Sequence, residues 1–140
     1  RQSAILVLAK IKEMCPNEPV ILTGDFNVDQ THESYKLLAN SNVLFDSFET
    51  AKTRYALNGT FNAWQSNNYT ESRIDHVFIS NGFEAERYGI LTDTYRSATV
   101  SAEAKHQGDF PKEVTVKEYV SRLPSDHFPV KVILNFNKNK

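Results

Sequence analysis

The stretch VILTGDFNVD, residues 20–29, constrains the fold most strongly, because an apolar strand leads directly into a cluster of oxygen-bearing side chains. Its first four residues are apolar or β-branched on consecutive positions, as in a strand covered on both faces, which predicts a central strand of a sheet. Gly24 favours a tight turn before the polar residues. Asp25, Asn27 and Asp29 then follow, and polar side chains at a strand end are typical of a ligand site.

Helical and strand periodicities alternate along the chain and predict an α/β fold. Apolar side chains at helical spacing predict an amphipathic helix over residues 3–15 and a capped helix over residues 31–41. Alternating side chains predict a strand over residues 73–80 and a last strand over residues 130–135. An Asn-Gly turn after the first of these two strands favours a hairpin with the strand that follows it.

Three segments have less regular patterns. Residues 43–51 leave a helical turn and an irregular strand both open. Residues 58–72 are polar and rich in Gly and Asn, which predicts a loop or hairpin tip with Phe61 and Trp64 as its anchors. Residues 96–124 predict a long surface excursion, and excursions of that length are often functional.

Length and composition limit the class of protein. A chain of 140 residues suits one domain with a real core. Apolar residues make up 40% and charged residues 24%, and the longest apolar run covers only residues 4–9, so no membrane span is predicted. Lys and Arg form no basic stripe, which argues weakly against avid binding to duplex DNA. The single cysteine, Cys15, excludes an internal disulfide and a multi-cysteine zinc site.

Polar side chains cluster at the ends of three predicted strands. Asp25 and Asn27 follow the first strand, Asp75 begins the second, and Asp126 and His127 precede the last. Each motif alone has an ordinary explanation as a side-chain turn, a surface ion pair or a cap. Their occurrence in three strand ends favours a shared site instead. Together they supply what hydrolysis of a phosphate ester needs: carboxylates that recruit Mg²⁺, an amide donor, and a histidine kept cationic by a carboxylate.

The motifs ILTGDFN, SRIDHVFIS and SDHFPV resemble, in the same order, the C-terminal motifs of the endonuclease/exonuclease/phosphatase superfamily. Members are metal-dependent phosphoesterases with the deoxyribonuclease I fold. The resemblance implies an α/β fold that is half of a four-layered α/β sandwich, with a mixed, mainly antiparallel sheet flanked by helices. Because Arg1 falls where the second half of that fold begins, we expect residues 1–140 to be the C-terminal part of a single domain whose N-terminal half is absent.

The resemblance also implies roles for the clustered side chains. Asp25 matches the residue that positions or deprotonates the attacking water, and Asn27 matches the one that contacts the phosphate. Asp75 matches the partner of the catalytic histidine, and His127 matches that histidine, which hydrogen-bonds the phosphate. Asp126 matches a carboxylate near the metal, for which Mg²⁺ is expected and Mn²⁺ or Ca²⁺ are alternatives. The principal metal ligand of the family is a glutamate from the N-terminal half.

The other histidines are expected to lie outside the site. His76 directly follows Asp75, so strand alternation points its side chain to the opposite face, where we expect it to be buried. His32 and His106 lie in polar surroundings and are expected at the surface.

Three functional interpretations remain open at this point. The leading one is a Mg²⁺-dependent phosphoesterase acting on a phosphodiester or phosphomonoester: a sugar phosphate, a phospholipid head group or a nucleic acid. SRIDHVF disfavours the inositol-phosphate phosphatases of the family, which carry a Trp/Cys-bearing motif there. The alternatives are a non-catalytic fragment or member that acts as a binding module, and an unrelated α/β domain. The expected partner is the N-terminal half of the same domain. The compartment stays open: many bacterial relatives are exported, and this chain carries no signal segment.

Overall fold

The computed structural model describes residues 1–55, 58–98, 104–105, 116–117 and 119–137; helices and strands alternate as far as Tyr55, and the described elements after it are all strands. In chain order the elements are α1 (Gln2–Met14), β1 (Ile21–Asp25), α2 (Glu33–Ala39), β2 (Phe45–Asp46), α3 (Ser47–Thr50), β3 (Thr53–Tyr55), β4 (Asp75–Ile79), β5 (Phe83–Ile90), β6 (Tyr95–Ala98), β7 (Ala104–Lys105), β8 (Val116–Lys117), β9 (Tyr119–Arg122) and β10 (Val130–Phe136). The segment whose pattern left strand and helix open contains one of each, β2 and then α3.

The strands form two three-stranded sheets and two smaller pairs. The first sheet has the order β1-β4-β2 and is antiparallel throughout. The second has the order β10-β5-β3, with β10 antiparallel and β3 parallel to β5. β6 pairs with β9, and β7 pairs with β8. This mixed, mainly antiparallel α/β arrangement confirms the predicted fold class. No helix in the described part of the chain is long and apolar enough to cross a membrane.

Helices α1 and α2 pack on one face of the first sheet. Their apolar stripes and the inward face of β4 bury a cluster that includes Tyr35, Leu38 and Phe78, and Leu22 of β1 packs against it. A second cluster, including Tyr88 and Ile90 of β5, forms on the other sheet. Alternation along β4 places His76 and Phe78 on the face that packs against the first cluster, so Asp75 and Val77 lie on the opposite face.

The prediction that the strand before Asp25 is central and covered on both faces is wrong. Among the described residues β1 pairs only with β4, so β1 lies at the edge of this three-stranded sheet and β4 is its central strand. Leu22 packs under the helices, but Ile21 is 46% exposed on the opposite face. The consecutive apolar residues therefore belong to a strand that is covered on one face only in the described structure. The predicted tight turn at Gly24 is also absent, because Gly24 is extended within β1.

The hairpin predicted after residue 80 is also wrong. β4 and β5 are consecutive in the chain but lie in different sheets. The Asn-Gly turn redirects the chain between the sheets, with Gly82 at a φ of 100°, a conformation that glycine adopts without steric cost. The surface excursion predicted over residues 96–124 contains β6 and β9, which pair antiparallel. His106 and most of that excursion lie outside the described residues.

A buried polar network joins the first sheet to the helices. The Tyr35 hydroxyl donates to Asp46 Oδ2 at 2.6 Å, and Arg73 Nη2 lies 3.3 Å from the same oxygen. The Arg73 guanidinium stacks on the Phe48 ring at 3.6 Å, and its remaining ion pair is to Glu49. Arg73 is only 6% exposed, so the ordinary explanation of RID as a surface ion pair does not hold. The network fixes the segment that enters β4 and thereby the position of Asp75.

We expect Asp46→Ala to destabilise the chain by about 3 kcal/mol, because it leaves the buried guanidinium without its main counter-ion. The free energy of unfolding from urea titration measures the loss. Glu13→Ala removes a pair with Lys10 whose side chains are more than half exposed, and should cost no more than about 0.5 kcal/mol. Equal losses in the two variants would show that the network does not stabilise the fold.

Candidate active site

Two carboxylates face each other across the first sheet. In the register of β1 and β4, Asp25 is directly opposite Asp75. Side chains of directly opposite residues lie on the same face of a sheet, with Cβ atoms about 4.5–5.5 Å apart, and like charges in that position repel. The two aspartates lie at the same end of the strand pair, because Asp25 is the last residue of β1 and Asp75 is the first residue of β4. The site therefore has a concentration of negative charge that a cation would relieve.

His127 is placed to supply that positive charge. Its Nδ1 lies 2.8 Å from Asp75 Oδ2, and the two side chains are 27% and 24% exposed. The hydrogen bond to Asp75 is the largest effect and raises the pKa of His127 above its ordinary value; burial opposes it, and the charges of Asp75, Asp25 and Asp126 add smaller upward contributions. The imidazolium is thus favoured by the folded structure, and its Nε2 is left to contact a substrate.

The loop after β1 holds the Asp25 carboxylate in one orientation. The Asn27 backbone N–H donates to Asp25 Oδ1 at 2.8 Å, and Asn27 Nδ2 donates to Oδ2 at 3.2 Å. Asn27 has a φ of 52°, which asparagine tolerates better than most residues. Gly24 precedes this turn, and a Cβ at that position would come within 3.3 Å of the Phe26 ring. Asp29 has a structural part in the same loop: hydrogen bonds from Thr31 and others lower its pKa to about 2.

Asp126 and His127 lie on the segment that leads into β10 of the second sheet. The Ser125 hydroxyl accepts from the His127 backbone N–H at 3.1 Å and donates to Asp126 Oδ1 at a long 3.4 Å. His127 also bridges to Phe61, whose ring meets the imidazole edge-on with centroids 5.2 Å apart. The contact between Asp75 and His127 therefore joins the two sheets.

The loop over residues 58–72 contributes two residues that the sequence did not single out. Thr60 Oγ1 accepts from the backbone N–H of Ile74 at 2.9 Å and of Asp75 at 3.1 Å. The Asn62 backbone N–H donates to the carbonyl of Asp126 at 2.8 Å, and Asn62 Nδ2 donates to the carbonyl of Ser125 at 3.1 Å. Both side chains are almost fully buried. This loop therefore ties Asp75 to the segment that carries His127.

The predicted aromatic anchors hold this loop only in part, because Phe61 contacts His127 whereas Trp64 is exposed. Phe61 is 41% exposed and Trp64 is 61% exposed, whereas the buried positions belong to the polar residues Thr60 and Asn62. Hydrophobicity was a misleading signal here because the loop is held by hydrogen bonds to backbone groups. The alternation of buried Thr60 and Asn62 around the exposed Phe61 would have been the useful signal. It cannot be recognised from the sequence, because Phe61 pairs with His127, more than sixty residues away.

His76 lies buried on the opposite face of β4, as strand alternation predicts. Its Nε2 lies 3.0 Å from the carbonyl of Val28, and the rings of Phe26, Tyr35 and Phe78 surround it. Burial lowers its pKa, with a smaller opposing contribution from the contact to Val28. His76 therefore braces the loop that holds Asn27, and its ring packs among the aromatic residues of the first cluster, on the side of β4 opposite Asp75.

His32 is exposed, as expected, and its Nδ1 accepts from the backbone N–H of Ser34 at the start of α2. This contact gives it a local role as a helix cap. It lies outside the set of side chains around Asp75.

An open cleft of about 430 Å³ contains the centre of the site. Asp25, Asp75 and His127 are in its wall, together with Thr23, Val77 and Pro129. Asn27 and Asp126 are outside this wall but next to it. Asn27 is hydrogen-bonded to Asp25, and Asp126 directly precedes His127 in the chain. No group of three or more His, Cys, Asp or Glu side chains in the described ranges is arranged to hold a metal ion.

Comparison with known proteins gives consistent matches. A family model described as the Endonuclease/Exonuclease/phosphatase family matches residues 2–127. A mannosyl-6-phosphatase of Bacteroides thetaiotaomicron is 52% identical with a TM-score of 0.79, and covers 96% of this chain and 45% of its own. Another structure from that organism, described as an endonuclease/exonuclease/phosphatase family protein, is 52% identical with a TM-score of 0.80 and covers 98% and 45%.

A Bacteroides vulgatus endonuclease/exonuclease/phosphatase shares the fold at 24% identity and a TM-score of 0.68, over 97% of this chain and 43% of its own. The chain thus spans less than half the length of each of these structures. No curated protein matches the chain at a significant level.

The position of His127 predicts a measurable titration. We expect its pKa, followed by NMR of the imidazole, to lie above 6.5 and to fall in Asp75→Asn, because the charged partner is lost. The corresponding stability is fully present below the unfolded-state pKa and is lost as the pH rises through the folded-state pKa. His32→Asn, which keeps a cap acceptor, should leave the His127 titration unchanged. An unchanged His127 pKa in Asp75→Asn would rule out this pair as the cause.

Proposed function

The chain belongs to the endonuclease/exonuclease/phosphatase family, and on that premise we propose that it is the C-terminal part of a metal-dependent phosphomonoesterase that acts on a sugar phosphate. The observation that carries the proposal is the contact of His127 with Asp75 at 2.8 Å, directly beside Asp25. Such a cationic donor next to an oriented carboxylate is suited to a phosphoryl group attacked by water.

In this proposal His127 binds the phosphoryl group. Its Nδ1–H donates to Asp75, which fixes the tautomer and keeps the ring charged. Its Nε2–H then donates to a phosphoryl oxygen, where negative charge is concentrated in the transition state. The Asp75 carboxylate acts through this histidine, as an orienting group.

Asp25 would position the attacking water and take its proton. Both of its carboxylate oxygens accept from Asn27, so the carboxylate cannot rotate away when water binds. Asn27 Nδ2 has a second hydrogen, which is available for a phosphoryl oxygen. Attack on phosphorus breaks the bond to the sugar oxygen, which takes a proton from solvent as it leaves, so that the sugar and inorganic phosphate are released.

The donor chemistry at the site fits Mg²⁺. Carboxylate oxygens are the ligands that this ion prefers, and Asp126 presents a carboxylate whose one described hydrogen bond, from Ser125, is long at 3.4 Å. When bound, the ion would neutralise charge on the phosphoryl oxygens. Because the described residues hold no complete ligand set, we propose that water and the N-terminal part of the same domain supply the other ligands.

A sugar phosphate is the substrate class that the surroundings of the site favour. A relative 52% identical to this chain is a mannosyl-6-phosphatase, and the most direct proposal is a related hexose 6-phosphate. No Lys or Arg is among the described residues in the wall of the cleft, whereas binding to a nucleic-acid backbone derives much of its affinity from such side chains. A phosphodiester and a phospholipid head group are the substrates to compare with it.

We expect Mg²⁺-dependent release of phosphate from mannose 6-phosphate that stops in EDTA and falls by about 10²–10³-fold in His127→Ala, because the donor to the developing charge is lost. A phosphate-release assay measures it, on this chain and on the chain extended upstream of Arg1. His32→Asn is the matched control and should retain full activity. Folded protein without turnover of any phosphomonoester or phosphodiester, in both lengths, would contradict the proposal and favour a binding module.

The pH profile provides a second check. Activity should fall as the pH rises through the raised pKa of His127, since the deprotonated ring has no charge to offer the phosphate. Asp75→Asn should move this alkaline limb to lower pH, in the direction of the lowered pKa. If the alkaline limb lay at the same pH in both proteins, the loss of activity would be due to the titration of another group.

A further inference from the structure

The loop over residues 58–72 has a composition unlike the rest of the chain. Residues 58–70 contain no charged side chain, although charged residues make up 24% of the protein. The segment is instead rich in amides, hydroxyls and aromatic rings. Phe61, Trp64 and Tyr69 are 41%, 61% and 69% exposed, so three large rings on one short loop face the solvent. Exposed aromatic side chains grouped in this way are characteristic of a binding surface.

This loop is rigidly built. Asn62 Oδ1 accepts from the backbone N–H of Trp64 at 2.8 Å, and the Asn62 carbonyl accepts from Gln65 and from Asn68 Nδ2. Ala63 and Trp64 have φ values of 54° and 62°, a region that costs energy for residues other than glycine. Strained backbone of this kind persists where the surroundings determine it, and it is often found at ligand sites. The loop is therefore preorganised, which lowers the entropic cost of binding.

One side of the loop forms a cleft of about 450 Å³. Its polar wall consists of six uncharged side chains: Asn58, Ser66, Asn68, Tyr69, Thr92 and Thr94. Leu123 and Phe128 supply its apolar part. No charged side chain is among the lining residues that the structure describes. Such a cleft offers hydrogen bonds to hydroxyl groups and a ring face to C–H groups, but no counter-ion for a phosphate.

The cleft lies beside the candidate active site. Phe128 is in the wall of this cleft and also in the wall of the cleft that contains Asp75 and His127. Asn62 joins the loop to the carbonyl of Asp126, so the two clefts are held in a fixed relation. A molecule with a charged phosphate at one end and a neutral polar body at the other would match the two clefts in turn.

We propose that the uncharged cleft binds the neutral sugar portion of a phosphorylated carbohydrate, next to the phosphate held at His127. The proposal rests on the proposed function, since it assigns a place to the sugar of the same substrate. Tyr69 stacks on the sugar ring, and the amide and hydroxyl side chains bind its hydroxyls. A nucleic acid is disfavoured, because the cleft has no cation for the phosphates of its backbone.

The experiment uses the single tryptophan of the chain. Trp64 lies on the loop, two residues before Ser66 of the cleft, so its fluorescence reports on the loop directly. The full chain is titrated with a neutral disaccharide such as mannobiose, with inorganic phosphate, and with a single-stranded oligonucleotide. We expect a saturable change with the disaccharide. Tyr69→Ala should weaken that affinity by about fivefold or more, and the exposed Tyr55→Ala should not change it.

Thr92→Val is the second variant, because it removes one hydroxyl from the wall at constant shape and Thr92 is exposed. It should weaken sugar binding while leaving circular dichroism unchanged. Sugar binding without any phosphate release would support the cleft and contradict the proposed enzyme.

Three results would overturn the proposal. The first is the absence of a saturable change with every neutral disaccharide in folded protein that still releases phosphate. The second is equal affinity in Tyr69→Ala, Thr92→Val and Tyr55→Ala. The third is an oligonucleotide or inorganic phosphate that competes for the same change in Trp64 fluorescence, because the cleft would then bind anions.

Discussion

The fold and the site both depend on the placement of two aspartates opposite each other, where β1 ends and β4 begins in the first sheet. Asp25 and Asp75 are cross-strand neighbours, and like charges in that position oppose strand pairing. The cost is offset by His127, which comes from the other sheet and donates to Asp75. The same contact joins the two sheets and raises the pKa of the histidine. An arrangement that satisfies the electrostatics of the fold is thereby also the one that we propose for binding a phosphate.

The surroundings of this group show how a small chain keeps charged side chains in order. Thr60 and Asn62 use buried polar atoms to bind backbone groups on both sides of the aspartate and histidine contact. Behind β4, Arg73 and Asp46 form a buried pair, and His76 braces the loop that carries Asn27. Each of these buried side chains makes at least one hydrogen bond, which offsets the cost of burying it, although Arg73 Nε has no partner among the described residues. The charged centre is left partly exposed, where a substrate can reach it.

The two clefts differ in the side chains that line them: one has charged side chains, and the other has polar side chains without a charge. One has carboxylates and a cationic ring, and the other has amides, hydroxyls and an aromatic ring without a charge. A sugar phosphate has the same division, with a doubly charged group at one end and hydroxyls at the other. The chain spans less than half the length of the solved structures it matches, so these two clefts belong to one part of a larger family architecture.

The sequence by itself determined the local features: helices α1 and α2, strands β1, β4 and β10, the alternation that separates Asp75 from His76, and the three ordered motifs that resemble the family. These depend on the two-residue period of a strand and the 3.6-residue period of a helix, which neighbouring residues reveal. Only the tertiary structure decided that β1 is an edge strand, that β4 and β5 separate into two sheets, and that Thr60 and Asn62 are buried while Trp64 is exposed. Burial and strand order depend on partners far away in the chain, and a residue's own neighbours carry no record of them.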